Sequence, residues 1–190
     1  MIGENRGRRE PGPREPEAPA SGGEQGGGEQ EGRGTRGDYP AGVPHAVSRS
    51  RLVPAPPEVV FDILTDPRMH PVIDGSGTVR STMSGPERLT LGSRFGMRMH
   101  NLMPYALINK VVEYDEGRLI AWRHPGLHRW RYELEPAEDG TLVTETFDYS
   151  TSPAPRLLEL MRFPAANAKG IAATLERLTD VAAQRAGRSP

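Results

Sequence analysis

The chain contains no cysteine and only two lysines, Lys110 and Lys169, among its 190 residues. The lack of cysteine excludes disulfides, thiolate nucleophiles and cysteine-ligated metals. The formal net charge of −1 gives no support to broad binding of nucleic acid or of membrane surfaces. We therefore expect no nucleic-acid partner, no membrane insertion and no cofactor, and the cysteine-free composition favours the cytoplasm.

The first 38 residues have almost no apolar content, although they hold half of the 22 glycines. Such a segment cannot bury enough surface to offset its chain entropy, and it has no apolar core of signal-peptide length. We predict a disordered tail over 1–44, a domain over 45–186 and a disordered end over 187–190. A mis-assigned start codon is an alternative explanation for the tail.

Most of the remaining chain shows short runs that alternate between apolar and polar residues, which is typical of half-buried strands. Short polar loops separate the later runs, so neighbouring strands are expected to be antiparallel. Alternation is poor in the first run, which favours an edge strand. The predicted strands cover residues 46–53, 78–83, 92–100, 105–114, 118–124, 128–134 and 141–150.

Helical patterns lie at two places in the chain. Pro57 and Glu58 favour the start of a short amphipathic helix, and Asp66 is suited to cap a second helical turn. From Pro155 onward, apolar residues follow a spacing near 3.6, which predicts a long C-terminal helix. Pro164 lies inside this pattern and should either kink the helix or begin its main part. Strands followed by a separate helix favour an α+β fold.

Several segments resemble the SRPBCC superfamily, which includes START-like and polyketide cyclase/dehydrase-like proteins. The resemblance spans roughly 46–182 and depends on residues 53–61, 66–71, 119–122, 130–136, 140–146 and 174–178. It implies a helix-grip fold, in which a curved antiparallel sheet encloses a long C-terminal helix and two short helices follow the first strand. Members bind lipids, polyketides, hormones or other apolar molecules, and some catalyse cyclisation or dehydration. The superfamily has no universal catalytic motif to transfer.

Large apolar side chains on the alternating strands and on the helix are candidates for the walls of a cavity. For the aromatic residues, simple core packing is the favoured explanation, and for the methionines a role as ordinary gap fillers is an equal alternative. The candidate pocket residues are Met97, Met99, Trp122, Trp130, Tyr132, Phe147, Tyr149 and Met161.

Glu145 breaks the apolar pattern of the last strand. If Val143 and Phe147 face the helix, Glu145 faces it too, because side chains alternate along a strand. A carboxyl group in an apolar cavity would have a raised pKa and could act as a general acid or base. The alternative is that Glu145 lies near the cavity mouth and pairs with Arg129 or Arg131.

Two further candidates for acid–base chemistry are His70, near the second short helix, and Tyr105, with Tyr149 as another possible proton donor. No pair of histidines has metal-binding spacing, so no metal site is expected. The favoured hypothesis is a domain that binds a small hydrophobic or amphipathic molecule. The alternative is a cyclase or dehydratase acting in the same cavity. The sequence does not determine the oligomeric state.

Overall fold

In the computed structural model, which describes residues 45–187, seven strands form one antiparallel sheet in the order β1-β7-β6-β5-β4-β3-β2. The predicted tail over 1–44 lies outside the described residues, as does the predicted end segment apart from Gly187. The strands are β1 (Ala46–Val53), β2 (Val79–Ser84), β3 (Arg94–His100), β4 (Pro104–Asp115), β5 (Leu119–Arg123), β6 (Arg129–Ala137) and β7 (Gly140–Asp148).

The helices lie between β1 and β2 and after β7. Pro57 occupies the first turn of the first helix, where its missing N–H costs nothing. The Asp66 side chain accepts a hydrogen bond from the Arg68 backbone N–H and caps the 3₁₀ turn that follows. The helices are α1 (Pro57–Thr65), α2 (His70–Ile73), α3 (Pro155–Leu160) and α4 (Phe163–Ala186), with the 3₁₀ turn at Pro67–Met69.

The sheet curves around α4, which confirms the predicted α+β helix-grip architecture. Strand β1 lies at one edge, as its weak alternation predicts, and packs against α4. The face of the sheet towards α4, called the inner face below, carries the apolar core. On β7 this face contributes Val143 and Phe147, which pack in one buried cluster with Ile171, Leu175 and Leu178 of α4.

The C-terminal helical region is broken in two. Arg162 adopts a left-handed backbone conformation with φ 59°, so α3 and α4 are separate helices. Helix α4 begins at Phe163, with Pro164 in its first turn, in agreement with the prediction that this proline begins the main helix. The apolar stripe is buried only on α4. Helix α3 has no buried residue, because the break turns it away from the line of α4.

The loop between α2 and β2 lies directly on α4. The Gly75 backbone N–H donates a hydrogen bond of 2.9 Å to Thr174 Oγ1. A Cβ at Gly75 would overlap the backbone of Ala173 and Thr174, so only glycine allows this close approach. The contact fixes one end of the space between sheet and helix.

Within residues 45–187, no helix is both long enough and apolar enough to span a lipid bilayer.

Candidate functional site

A cavity lies between the inner face of the sheet and the helices α2 and α4. Its volume is about 100 Å³, and the empty space is about 650 Å³ when the region open to solvent is included. The strands β3 to β7 all contribute to its walls, together with the loop after α2. The larger apolar side chains of the wall are Phe95, Met97, Met99, Leu107, Trp122 and Trp130.

Aromatic rings form one side of this cavity. The Trp122 ring is stacked on His70, with ring centroids 4.7 Å apart, and on Tyr132 at 5.4 Å. Phe95 meets both His70 and Trp122 edge-on. These contacts fix the ring positions, so the aromatic wall is formed before any ligand arrives.

Five of the eight candidate pocket residues lie on the cavity wall, and so do two of the three candidate acid–base residues, Glu145 and His70. Their positions follow from the strand period, because the same face of each strand points towards α4. Whether they contact a ligand stays a prediction. The five pocket residues are Met97, Met99, Trp122, Trp130 and Tyr132.

Phe147 and Tyr149 are buried but lie outside the cavity wall, contrary to expectation. Phe147 packs beside Trp130, its partner in the strand register, with ring centroids 5.0 Å apart, and is not among the residues of the cavity wall. Tyr149 stacks on Phe147, and its hydroxyl donates a hydrogen bond of 3.2 Å to Glu159 of α3. Tyr149 therefore has no access to the cavity as a proton donor.

Tyr105 and Met161 are exposed, which corrects their assignment to the site. Tyr105 pairs with Met99 across β3 and β4 and shares its face, but it lies at the hairpin end and is 46% exposed. Met161 is 59% exposed because the helix break at Arg162 removes it from the buried stripe of α4. Neither residue lines the cavity.

Glu145 projects into the cavity from the middle of β7 and is only 2% exposed. It is directly opposite Tyr132 of β6, so the two side chains are neighbours on the inner face. Arg129 and Arg131 lie on the outer face and form ion pairs with Glu113. The alternative in which Glu145 pairs with Arg129 or Arg131 is therefore wrong.

The environment of Glu145 favours its protonated form. Burial raises the pKa of Glu145 from its ordinary 4.5 to about 8, the Tyr132 hydroxyl opposes this shift, and the charge of Asp74 adds to it. At neutral pH the side chain is therefore mainly a neutral carboxylic acid. It could donate a proton or a hydrogen bond to a molecule in the cavity.

His70 is held in one orientation by a backbone contact. Its Nε2 lies 2.9 Å from the carbonyl oxygen of Leu64, and a carbonyl can only accept, so Nε2 carries the proton. Burial lowers the pKa of His70 to about 4, so the ring is neutral at physiological pH. The Nδ1 atom is consequently a hydrogen-bond acceptor.

Three buried polar atoms lack a hydrogen-bond partner among the described residues, and all three belong to residues of the cavity wall. They are Asn109 Oδ1, His124 Nδ1 and Glu145 Oε2. A buried polar atom without a partner costs about 1–3 kcal/mol. Three such atoms around one cavity indicate that something polar, water or a ligand, completes them.

Sequence reasoning missed Asn109, although a signal was present. Asn109 alternates with Leu107 and Val111 along β4, so an amide on an inward-facing position was readable from the strand period. Thr174 gives a similar signal as a polar residue on the apolar stripe of α4. Asp74 gave none, because it lies in the loop after α2.

Asp74 is the second carboxyl group of the wall. Its Oδ1 accepts a hydrogen bond from the Ser76 hydroxyl at 2.7 Å, and its Oδ2 accepts from the Val79 backbone N–H at 3.0 Å. These bonds close the loop on itself. Unlike Glu145, Asp74 is therefore committed to a structural role.

The paired histidines His124 and His128 have ring centroids 4.7 Å apart. Burial lowers the pKa of His124 to about 3, with the nearby His128 as a smaller cause. Within residues 45–187, no group of three histidine or acidic side chains is arranged to hold a metal ion.

Comparison with known proteins places this geometry in a family context. The model of the family described as "Polyketide cyclase / dehydrase and lipid transport" matches residues 44–183. Two uncharacterised Mycobacterium tuberculosis proteins, from two strains, are 42% and 41% identical over 143 residues. Each alignment covers 72% of this chain, which spans 64% of the length of these curated relatives.

Solved structures with the same architecture share little sequence with the chain. A Nitrosomonas europaea protein is 18% identical, with a TM-score of 0.57 over 74% of this chain and 96% of that one. A Rhodobacter sphaeroides protein is 17% identical, with a TM-score of 0.58 over 74% of this chain and 93% of that one. An AHSA1-like protein from Aeromonas hydrophila is 17% identical, with a TM-score of 0.53 over 75% of this chain and 94% of that one. At these identities the likeness is one of fold.

Proposed function

Because the chain belongs to the polyketide cyclase / dehydrase and lipid transport family, we propose that it binds a small amphipathic molecule between the sheet and α4. The family is of the SRPBCC type, in agreement with the resemblance of the central strands and the C-terminal helix. The activity and partners of a full-length relative are not implied, because the chain spans 64% of the curated relatives. A cytoplasmic location stays a prediction.

The observation that carries the proposal is the placement of the unpartnered polar atoms. Asn109, His124 and Glu145 each contribute one to a cavity wall whose larger apolar side chains are tryptophan, phenylalanine, methionine and leucine. A wholly apolar ligand would leave these atoms unpaired at a cost of about 1–3 kcal/mol each. A ligand with an apolar body and a polar end satisfies both parts of the wall.

The size of the cavity limits the part of the ligand that can be buried. A cavity volume of about 100 Å³ admits a small group, and the empty space of about 650 Å³ includes the region open to solvent. Drug-sized ligands occupy pockets of about 300–1,000 Å³. A ligand larger than a small group would therefore extend into the open region.

A pair of neighbouring substitutions on β4 tests the proposal. Leu107 lies on the cavity wall, whereas Ile108 lies on the outer face and is exposed. Leu107→Phe should fill part of the cavity and weaken binding of benzyl alcohol at least fivefold, whereas Ile108→Phe should leave it unchanged. The two tryptophans of the chain both line the cavity, so their fluorescence reports binding directly.

Two results would contradict the proposal. Benzyl alcohol would leave the tryptophan fluorescence of the wild-type protein unchanged at every concentration, or the two variants would bind it equally well. Native mass spectrometry of the purified protein adds an independent readout, because a ligand bound in the cavity should be retained by Ile108→Phe and reduced in Leu107→Phe.

An enzymatic function in the same cavity is the second candidate, and one observation favours it. Glu145, protonated at neutral pH, is directly opposite Tyr132, whose pKa is raised well above its ordinary value by burial and by the charge of Glu145. A proton donor beside a hydroxyl group meets the minimum of two convergent polar groups. Tyr132 takes the role that Tyr105 and Tyr149 cannot fill.

The enzymatic candidate has its own test. The protein is incubated with the small molecule that co-purifies with it, and mass spectrometry follows loss of water or ring closure. Glu145→Gln should still bind this molecule but should not convert it. Equal conversion by wild type and Glu145→Gln would remove Glu145 from the chemistry.

A further inference from the structure

The cavity wall carries acidic groups without a matching base. Asp74 and Glu145 are the two carboxyl groups among its lining residues, and no lysine or arginine is among them. His70 and His124 line the wall too, but burial lowers their pKa values to about 4 and about 3, so both rings are neutral at neutral pH. The only charges that the wall can carry near pH 7 are therefore negative.

The cations closest to this wall have other partners. Arg49 of β1 is opposite Glu145 in the strand register, but its side chain is exposed and donates to the Ser48 carbonyl at 2.7 Å. Arg177 of α4 donates to the backbone carbonyl of Asp74. Among the described residues, no ion pair includes Glu145.

From this arrangement we propose that the polar end of the ligand is a protonated amine, for which Glu145 is the counter-ion. An ammonium group can donate to Glu145 Oε2, the buried oxygen that has no partner within the described residues. Trp130 also lines the cavity, and the face of an indole ring attracts a cation through its π-electrons. This inference rests on the proposed binding function and names the chemical class of the ligand.

Binding of an amine would be coupled to release of a proton. Glu145 is mainly protonated at pH 7, so it must ionise to become a counter-ion. The groups that face it are Tyr132 on β6, Asp74 in the loop after α2 and the exposed Arg49 on β1. Below pH 8, amine affinity should therefore rise with pH by up to about tenfold per unit. A neutral ligand requires no such release.

Three probes with one ring and different polar groups separate the possibilities: benzylamine, benzyl alcohol and benzoate. Their affinities are measured by calorimetry and tryptophan fluorescence at pH 6, 7, 8 and 9. We expect benzylamine to bind at least tenfold more tightly than benzyl alcohol at pH 8, with the preference shrinking towards pH 6. Benzoate should bind at least tenfold more weakly than the alcohol at every pH.

Two variants assign the preference to Glu145. Glu145→Gln keeps the shape of the side chain but cannot ionise, so it should lose both the preference for benzylamine over benzyl alcohol and the pH dependence of that preference. Arg49→Gln, on the neighbouring strand, should keep both. The wild-type pH series tests the proposal even if Glu145→Gln does not fold.

The outcomes distinguish this inference from the function on which it rests. Equal affinity for benzylamine and benzyl alcohol in the wild-type protein at pH 8 would overturn the amine assignment and leave the binding function intact. A preference for benzylamine that survives in a folded Glu145→Gln would overturn it as well. If none of the three probes binds, the proposed function fails, and this inference fails with it.

Discussion

Glu145 and Asp148 lie three residues apart on β7, are each 2% exposed, and have opposite electrostatic environments. Asp148 faces outward. Although burial opposes the shift, hydrogen bonds from Ser150 and Arg129 lower the pKa of Asp148. Glu145 faces the cavity without a cation, and burial raises its pKa to about 8. Equal surface exposure therefore does not give equal behaviour, because Asp148 is less deeply buried than Glu145 and has Ser150 and Arg129 as partners.

The same contrast extends over the two faces of the sheet. On the outer face, Arg129 donates to Glu113 at 3.0 Å and to Asp148 at 3.1 Å, and Arg131 donates to Glu113 at 3.1 Å. In these ion pairs each charged side chain has a partner of opposite charge. On the inner face the carboxyl group of Glu145 has no ion-pair partner among the described residues. The two faces therefore differ in whether their buried acids are paired.

The largest expected effect comes from removing the unpaired acid. The folded-state pKa of Glu145, about 8, exceeds its ordinary 4.5, so its contribution to stability is fully present below pH 4.5 and lost as pH rises through 8. Glu145→Gln should therefore be more stable than wild type at pH 9, by on the order of 4 kcal/mol. Urea unfolding from pH 5 to pH 9 measures this difference.

This difference should be smallest at pH 5, where wild-type Glu145 is already neutral. Parallel stability curves for wild type and Glu145→Gln across this pH range would show that Glu145 titrates as an ordinary exposed carboxyl group.

A smaller effect of the opposite sign should come from breaking a paired acid. Arg129→Met leaves the buried carboxylate of Asp148 without its cation, so we expect a loss of about 2 kcal/mol at pH 7, reduced because Arg129 is partly exposed. Arg118→Met is the matched control, since its ion pair with Asp115 is exposed. Equal losses for both variants would contradict the distinction between the two sites.

The smallest effect is expected at Glu113, which accepts hydrogen bonds from both Arg129 and Arg131 at a partly exposed position. Glu113→Gln should cost less than about 1 kcal/mol, and added salt should reduce the loss. Thermal unfolding in low and high salt measures it. A salt-independent loss above 2 kcal/mol would place Glu113 among the essential ion pairs.

Much of this contrast could be predicted from the alternation of side chains along the strands. The period of two predicts that Glu145 shares a face with Val143 and Phe147, and the structure agrees. The same period places Arg129 and Arg131 on the other face of β6 from Trp130 and Tyr132. An ion pair between either arginine and Glu145 could be rejected only from the strand register, which places Tyr132 directly across from Glu145.

Other parts of the site depend on long-range geometry that periodicity does not contain. The left-handed backbone at Arg162 separates α3 from α4, and the spacing of apolar residues across this point gave no sign that Met161 would be exposed. Phe147 is directly opposite Trp130 in the strand register, but of the two only Trp130 lies on the cavity wall. The loop at Asp74 is held at the cavity by contacts with α4, from the Gly75 N–H to Thr174 and from Arg177 to the Asp74 carbonyl.

Glu145 is a buried acid without an ion-pair partner among the described residues, and its ionisation can be measured directly. Carbon-13 NMR of the side-chain carboxyl carbons, with Glu145→Gln used for assignment, follows its ionisation in the ligand-free protein. We expect a midpoint near pH 8, which moves to lower pH when benzylamine is added. A midpoint near the ordinary 4.5 in the ligand-free protein would contradict it.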